Sequence, residues 1–296
     1  MTLALGALSM TCHASDGTGC GAIRILQAVG FDTHLPLDGP TCMQWIQDGT
    51  MVVLNEENCS VAELTPDLEL VRTFGRCGEA PGEFQNAMGL VVCSDSLYIS
   101  TMGRTHVFTE TGDPVRSIST IFYPRLFNIR GRLYAFRSKR GRIFAELDVD
   151  GNEHDNFGPE SDDWKLQWLL LERPKSGFTA IELHDGRGTL MNSNKEIERT
   201  VDLGLGRGWQ HGGRGKNALS DACFDSRNSR YLVLYYPEIG SKPRIASFDA
   251  DLKHLETWVL CPDPAPGEIA VAPDGHIYML CYEASMLYEI QLSSSP

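Results

Sequence analysis

Short apolar runs separated by turn residues recur along the whole chain. The clearest example is the segment 74–118, where apolar runs at 88–93, 97–100, 106–109 and 115–118 follow one another. Such a succession predicts short antiparallel β-strands that form a meander. No apolar run reaches the length of about eighteen residues that a membrane-spanning helix needs, so the sequence predicts no membrane span.

Two series of turns repeat along the chain. The first has steps of 36 to 51 residues and comprises Asp48-Gly49, Ser94-Asp95, Arg130-Gly131, Ser176-Gly177, Arg227-Asn228 and Asp274-Gly275. The second interleaves with it and comprises Pro66-Asp67, Thr111-Gly112, Asp150-Gly151, Ser193-Asn194 and Ala250-Asp251. Asp-Gly and related pairs suit tight hairpins, which need positive φ angles. Steps of this size correspond to the four strands of one β-propeller blade.

The two series divide the chain into six units, at 42–75, 87–119, 125–158, 167–204, 219–260 and 267–292. The sequence therefore predicts an all-β fold, a six-bladed β-propeller of four-stranded antiparallel blades. The sixth unit is one strand short, and the run Ala22–Val29 has the composition of a strand. We expect this N-terminal strand to close the last blade, because closure removes an exposed sheet edge. The predicted organisation is an N-terminal segment at 1–21 and one propeller domain at 22–296.

The loop Pro81-Gly82-Glu83-Phe84, with the strand, turn and strand that follow it, resembles an NHL repeat. The stretch 266–280 (PGEIAVAPDGHIYML) is similar to the same pattern, which weakens in units 4 and 5. The resemblance implies the architecture of the six-bladed TolB-like and regucalcin-like superfamily. Proteins of similar architecture include binding modules and also enzymes, such as the gluconolactonase/regucalcin group, strictosidine synthase-like proteins, the peptide-amidating lyase and streptogramin lyase. These enzymes generally use a cation, or His and acidic residues, in the central channel.

The charge of the chain disfavours one class of partner. The formal net charge is −13, and the basic residues are scattered rather than gathered into a stripe. Such a surface repels nucleic-acid phosphates, so we expect no nucleic-acid partner. A protein, a peptide or a small molecule is the expected ligand, and the oligomeric state is left open.

The N-terminus allows two interpretations. Residues 1–14 contain an apolar stretch and a Cys-x-Ala ending that suit a signal peptidase, but they lack a positively charged start. An export signal and a retained tail therefore both stay open.

The nine cysteines bear on the compartment. This number is high for a reducing compartment and favours a periplasmic or secreted protein over a cytoplasmic one. Several of them lie in apolar strands, however, where a free thiol behaves as a small hydrophobe. Cys59 and Cys77 form the predicted disulfide, if one forms, because both fall on the side of the propeller that carries the loops between blades.

The mouth of the central channel is the usual ligand position of a propeller. Polar residues predicted there are Gln44, Arg125, Gln167, Asp221 and Glu268, and the glycine-rich stretch 204–217 adds Trp209 and His211 as contact residues. Asp221 and Glu268 come from adjacent blades, so they could bind a divalent cation such as Ca²⁺ or share a proton. The alternative is that these polar groups only line a water-filled channel.

Two functions follow from these observations. The first is a ligand- or protein-binding propeller that uses the face of the inter-blade loops and the channel mouth. The second is a metal-assisted hydrolase or lyase, with Asp221 and Glu268 as metal ligands and Arg125 as a further catalytic candidate. No His falls at a predicted mouth position, which disfavours a zinc lyase. We place the functional face on the loop side, because the turns of the opposite side are too short to build a pocket.

Overall fold

The structure is a computed structural model that describes residues 21–30, 35–46, 48–119, 125–137, 141–161, 168–205, 219–237, 241–260 and 266–293. The secondary-structure elements within these ranges are all β-strands. In the part of the chain that is described, no helix is long and apolar enough to cross a membrane.

The strands form six blades around a central channel, as the sequence predicts. Blade 1 comprises β2 (Pro40–Trp45), β3 (Met51–Asn55), β4 (Ser60–Leu64) and β5 (Leu70–Phe74); blade 2 comprises β6 (Gly89–Cys93), β7 (Ser96–Thr101), β8 (Arg104–Thr109) and β9 (Pro114–Ser119). Blade 3 comprises β10 (Leu126–Ile129), β11 (Arg132–Phe136), β12 (Gly141–Leu147) and β13 (Glu153–Ser161); blade 4 comprises β14 (Trp168–Glu172), β15 (Phe178–Glu182), β16 (Arg187–Met191) and β17 (Ile197–Asp202). Blade 5 comprises β18 (Leu219–Asp225), β19 (Arg230–Tyr235), β20 (Arg244–Phe248) and β21 (His254–Val259); blade 6 comprises β22 (Glu268–Val271), β23 (Ile277–Cys281), β24 (Met286–Ser293) and the N-terminal β1 (Gly21–Gly30).

The N-terminal strand β1 closes blade 6, which confirms the predicted ring closure. It pairs antiparallel with β24, for example at Ile25 opposite Ile290. It also pairs parallel with β21 of blade 5, where Gly21 lies opposite Trp258. Blades 5 and 6 therefore form one eight-stranded sheet, in the order β18-β19-β20-β21-β1-β24-β23-β22. The sequence did not predict this second pairing, because nothing in the composition of β1 distinguishes one neighbouring strand from two.

The hairpin turns lie where the two repeat series place them. Ser94 and Asp95 have φ angles of 47° and 61°, which is the backbone of a type I′ hairpin. Each turn between the third and fourth strands of blades 1 to 5 has one residue with positive φ, and these residues are Leu68, Gly112, Gly151, Lys195 and Leu252. A register shift accompanies each of these turns. The repeat in the sequence thus reflects a bulged turn that recurs from blade to blade.

The hydrophobic core consists of six layers, and each layer lies between two neighbouring blades. The recurring second-strand tyrosines Tyr98, Tyr134 and Tyr278 each belong to one of these layers. These tyrosines therefore pack between neighbouring blades. Ile23 of β1 is also buried, with 2% of its surface exposed, in the layer between blades 5 and 6.

Two strands extend by two or more residues beyond the sequence-based units. β2 begins at Pro40, two residues before the predicted start of unit 1. β13 continues to Ser161, beyond the predicted end at 158, because β12 is long enough to pair with it as far as Gly141 opposite Ser161. The first of these differences moves the channel mouth along β2.

Candidate functional site

The channel has two unlike ends. The first strand of every blade lines it, namely β2, β6, β10, β14, β18 and β22. At the end where these strands begin, the inter-blade loops enter, and we call this end the loop side. At the other end lie the turns of both repeat series, and we call it the hairpin side.

A cavity of about 340 Å³ occupies the channel, and residues from the first strands of all six blades line it. This volume is at the small end of the range for small-molecule sites. Four of the predicted polar residues line this one cavity: Gln44, Arg125, Asp221 and Glu268.

Asp221 lies near the start of β18 and is buried, with 6% of its surface exposed. Its Oδ2 accepts a hydrogen bond from the backbone N–H of Ile269 at 3.0 Å. Its Oδ1 lies 3.3 Å from Nη1 of Arg125. Burial raises the pKa of the Asp221 carboxyl, whereas the charge of Arg125 and the N–H of Ile269 lower it. Asp221 therefore joins blade 5 to blade 6 and also pairs with a cation from blade 3.

Glu268 is the first residue of β22, in the adjacent blade. Its Oε2 accepts a hydrogen bond from the backbone N–H of Met43 at 3.0 Å, so it joins blade 6 to blade 1. Part of its surface borders the cavity, yet protein surrounds the carboxyl group. Burial and then the charge of Asp221 raise the pKa of Glu268 well above its usual value, and Arg125 opposes them only in part. The guanidinium of Arg125 lies directly beside Asp221, so it stabilises the ionised form of that acid.

Arg125 precedes β10 and reaches across the channel. Its Nη1 lies 3.3 Å from Oδ1 of Asp221, which belongs to blade 5. About a third of its side chain is exposed, and its guanidinium makes one hydrogen bond within the described residues, through Nη1. A guanidinium has five N–H donors, so Arg125 has further donors for a ligand.

Three residues of this cavity were missed by the sequence analysis: Thr41, Cys42 and Cys223. The Cys42 thiol lies 3.5 Å from Oε1 of Glu268 and 3.4 Å from the backbone oxygen of Leu90, and burial raises the thiol pKa well above its usual value. The Thr41 hydroxyl is buried without a hydrogen-bond partner in the described residues. Side chains two residues apart on a strand lie on the same face, so the prediction of Asp221 at the channel could have been extended to Cys223.

The other predicted residues have different outcomes. Gln44 lines the same cavity, but it is the fifth residue of β2 and so lies closer to the hairpin side than predicted, because β2 begins at Pro40. Gln167, Trp209 and His211 lie outside the described residues.

The predicted disulfide between Cys59 and Cys77 is present, with Cα atoms 4.9 Å apart. It ties the turn between β3 and β4 to the loop that connects blade 1 to blade 2, which confirms that both cysteines lie on the loop side. Within the described residues, Cys42, Cys93 and Cys223 take part in no disulfide.

In the described part of the chain, no three or more His, Cys, Asp or Glu side chains are placed so that they could hold a metal ion together. Asp221 and Glu268 each accept a backbone N–H already, and Arg125 lies beside Asp221. A cation in this position would face the guanidinium, so the donor set fits Ca²⁺ poorly.

No family model matches the chain, and no curated protein matches it either. Solved structures do match it over nearly their whole lengths. A member of the DUF4221 family from Bacteroides vulgatus is 11% identical, with a TM-score of 0.64, and the match covers 93% of this chain and 99% of that one. A streptogramin B lyase is 11% identical, with a TM-score of 0.58, and covers 90% and 98%. The WD40 domain of Neurospora crassa Pan2 is 9% identical, with a TM-score of 0.58, and covers 94% and 97%. Sequence identities this low establish only a shared fold. The chain has the β-propeller fold in common both with a lyase and with WD40 domains.

Proposed function

We propose that this chain is a ligand-binding β-propeller whose ligand, a small molecule, enters the channel from the loop side. The observation that carries the proposal is the arrangement of Arg125, Asp221 and Glu268 around one cavity. Groups of both charges converge there from three blades, and each is recessed in a channel where the interaction of charges is stronger than in water. A few convergent polar groups in a cavity with perturbed pKa values are typical of a binding site.

The experiment is a thermal-shift screen of the whole chain against a broad metabolite library. We expect at least one compound to raise the melting temperature, because a ligand that binds only the folded state stabilises it. Compounds that do so are then measured by calorimetry against the double variant Arg125→Met/Asp221→Asn. Removing both charges together avoids leaving one buried charge unpaired. Binding should be lost in the double variant.

Arg132→Met is the matched control, since Arg132 also pairs with an acid but lies at the hairpin end of β11 with 68% of its side chain exposed. The control should bind as the unmodified chain does. If binding survives the double variant and disappears when the hairpin tips at Asp48, Asp95 or Asp274 are changed, the ligand face has been assigned to the wrong side. A screen without any stabilising compound also counts against the proposal.

A protein or peptide partner on the loop side is the other form that binding could take. Met102, at the tip between β7 and β8, is 72% exposed, and Met88 near the channel is 43% exposed. The cavity favours the small molecule, because the charged groups lie inside the channel rather than on the surface that a protein would cover.

The alternative to this proposal is the metal-assisted hydrolase or lyase, which would rest on the two carboxylates that face one cavity. Elemental analysis of the purified chain tests it directly. Stoichiometric calcium or zinc that is lost in Asp221→Ala would support it, and we expect a metal-free chain because Arg125 lies 3.3 Å from Asp221. The NHL and TolB-like relationship likewise stays a prediction from the sequence.

A further inference from the structure

The charges of the cavity also limit which ligand it can take, and this inference rests on the proposed function. Asp221 and Arg125 form an ion pair with atoms 3.3 Å apart. Glu268, with its raised pKa, adds a carboxyl group that tends to be neutral. The free cavity therefore contains one cation, one anion and one carboxyl that can still lose a proton.

A ligand with a single charge meets an obstacle in this cavity. An anion must share Arg125 with Asp221, and it would either lie close to that carboxylate or leave it buried without a partner, which is costly. A cation can approach Asp221 and Glu268 only beside the guanidinium of Arg125, with repulsion between like charges.

A ligand that carries both charges avoids both obstacles. Its carboxylate can accept hydrogen bonds from those N–H groups of Arg125 that no described residue uses, and its cationic amine can donate to the remaining lone pairs of Asp221 and Glu268. Thr41, whose buried hydroxyl has no hydrogen-bond partner in the described residues, also lines this cavity. All the charged groups that face the cavity are then paired.

We propose that the cavity binds a small zwitterion with an ammonium and a carboxylate group, of the free α-amino acid class. The ammonium group next to Glu268 favours the ionised carboxylate, so binding releases a proton from Glu268 to the solvent.

The test uses the full chain and three matched series: free amino acids, their N-acetyl derivatives, which lack the ammonium charge, and their amides, which lack the carboxylate. We expect calorimetry to show binding in the first series and at least about tenfold weaker binding in the other two. Equal or tighter binding of the N-acetyl or amide series would overturn the inference. Failure of all three series would also overturn it, and the broader screen decides separately whether the proposed function stands.

Proton release is a second readout, which a merely structural role of Glu268 would not give. The enthalpy of binding, measured in buffers with different ionisation enthalpies, should show the release of up to about one proton per ligand. Glu268→Gln should abolish this release, even if its affinity changes, while the control Glu69→Gln on the exposed edge of blade 1 leaves it intact. An absence of proton release in the unmodified chain would contradict the placement of the ammonium group.

Discussion

The strand β18 has one buried aspartate near its start, Asp221, and another at its end, Asp225, and the two have different kinds of partners. Asp225, at the hairpin side, accepts hydrogen bonds from the backbone and side chain of Asn228 and from Nε of Arg230. Both partner residues lie within five residues of Asp225 and belong to the same hairpin, between β18 and β19. Asp221, at the loop side, takes its partners from blades 6 and 3, through Ile269 and Arg125.

The two clusters differ in whether residues of their own hairpin supply their partners. The Asp225 cluster is completed by its own hairpin, and Arg230 packs over the ring of Trp258. The Asp221 cluster contains donors that no described residue uses, and it lies beside a cavity. A ligand can therefore engage Asp221 and its neighbours without opening a hairpin.

Removing β1, which joins blades 5 and 6 into one sheet, should have the largest effect on stability. β1 lies in the middle of the eight-stranded sheet whose edge strands are β18 and β22. Deleting residues 1–30 exposes the edges of β21 and β24 and uncovers the layer that contains Ile23. We expect the chain without residues 1–30 to lose cooperative unfolding, as measured by circular dichroism. Deletion of residues 1–20 is the control and keeps β1; equal melting of the two truncated chains would refute a role for β1 in stability.

The next effect concerns the hairpin end of β18. Asp225→Ala leaves Arg230, which has only 20% of its side chain exposed, without its acid. We expect the free energy of unfolding to fall by about 3 kcal/mol, measured with urea. Ligand binding should persist in the folded fraction. A loss below about 1 kcal/mol would mean that the local cluster does not stabilise the hairpin side.

The contribution of the loop side of the channel to the free energy of unfolding should depend on pH. The pKa of Glu268 in the folded chain is raised above its ordinary value of 4.5, so its contribution to stability is complete below pH 4.5 and is lost as the pH rises toward the raised value. Within that interval the free energy of unfolding should fall by up to about 1.4 kcal/mol per pH unit. Glu268→Gln should reduce this slope, and the remainder should include the contribution of Asp221, whose pKa is also raised. An unchanged slope in the variant would contradict the assignment.

The smallest effect is expected for Asp221→Asn. Its amide oxygen can still accept the N–H of Ile269, and Arg125, a third exposed, can turn toward water. We expect a loss of about 1 kcal/mol in urea unfolding, less than for Asp225→Ala. A larger loss than at Asp225 would reverse the comparison between the two ends.

The sequence predicted the blades well because the features that define them are local. A turn such as Ser94-Asp95 needs positive φ angles within two residues, and that requirement recurs in every blade. The disulfide could be predicted because the repeat places Cys59 and Cys77 on one side. Asp221 and Glu268 could be assigned to adjacent blades for the same reason.

The partners within the site could not be predicted in this way. Arg125 and Asp221 are 96 residues apart in the chain, and their contact depends on the width of the channel and on the reach of one side chain. The repeat does not mark strand ends, so it did not reveal that β2 begins at Pro40 or that Thr41 and Cys42 line the cavity together with Gln44. No pattern in a single sequence indicates that the hydroxyl of Thr41 is buried without a hydrogen-bond partner in the described residues, or that the thiol of Cys42 lies beside Glu268.

The closing strand also has a consequence for how the chain is made. β1 leaves the ribosome first, but its antiparallel partner β24 leaves after all the other strands, so pairs such as Ile25 and Ile290 cannot form during synthesis. Contacts between such distant segments form slowly, because a long chain must close before they contribute. Until then β1 and β24 have unpaired edges that can join another nascent chain. A low concentration of unfinished chains, or a chaperone that shields these edges, should therefore raise the yield of folded protein.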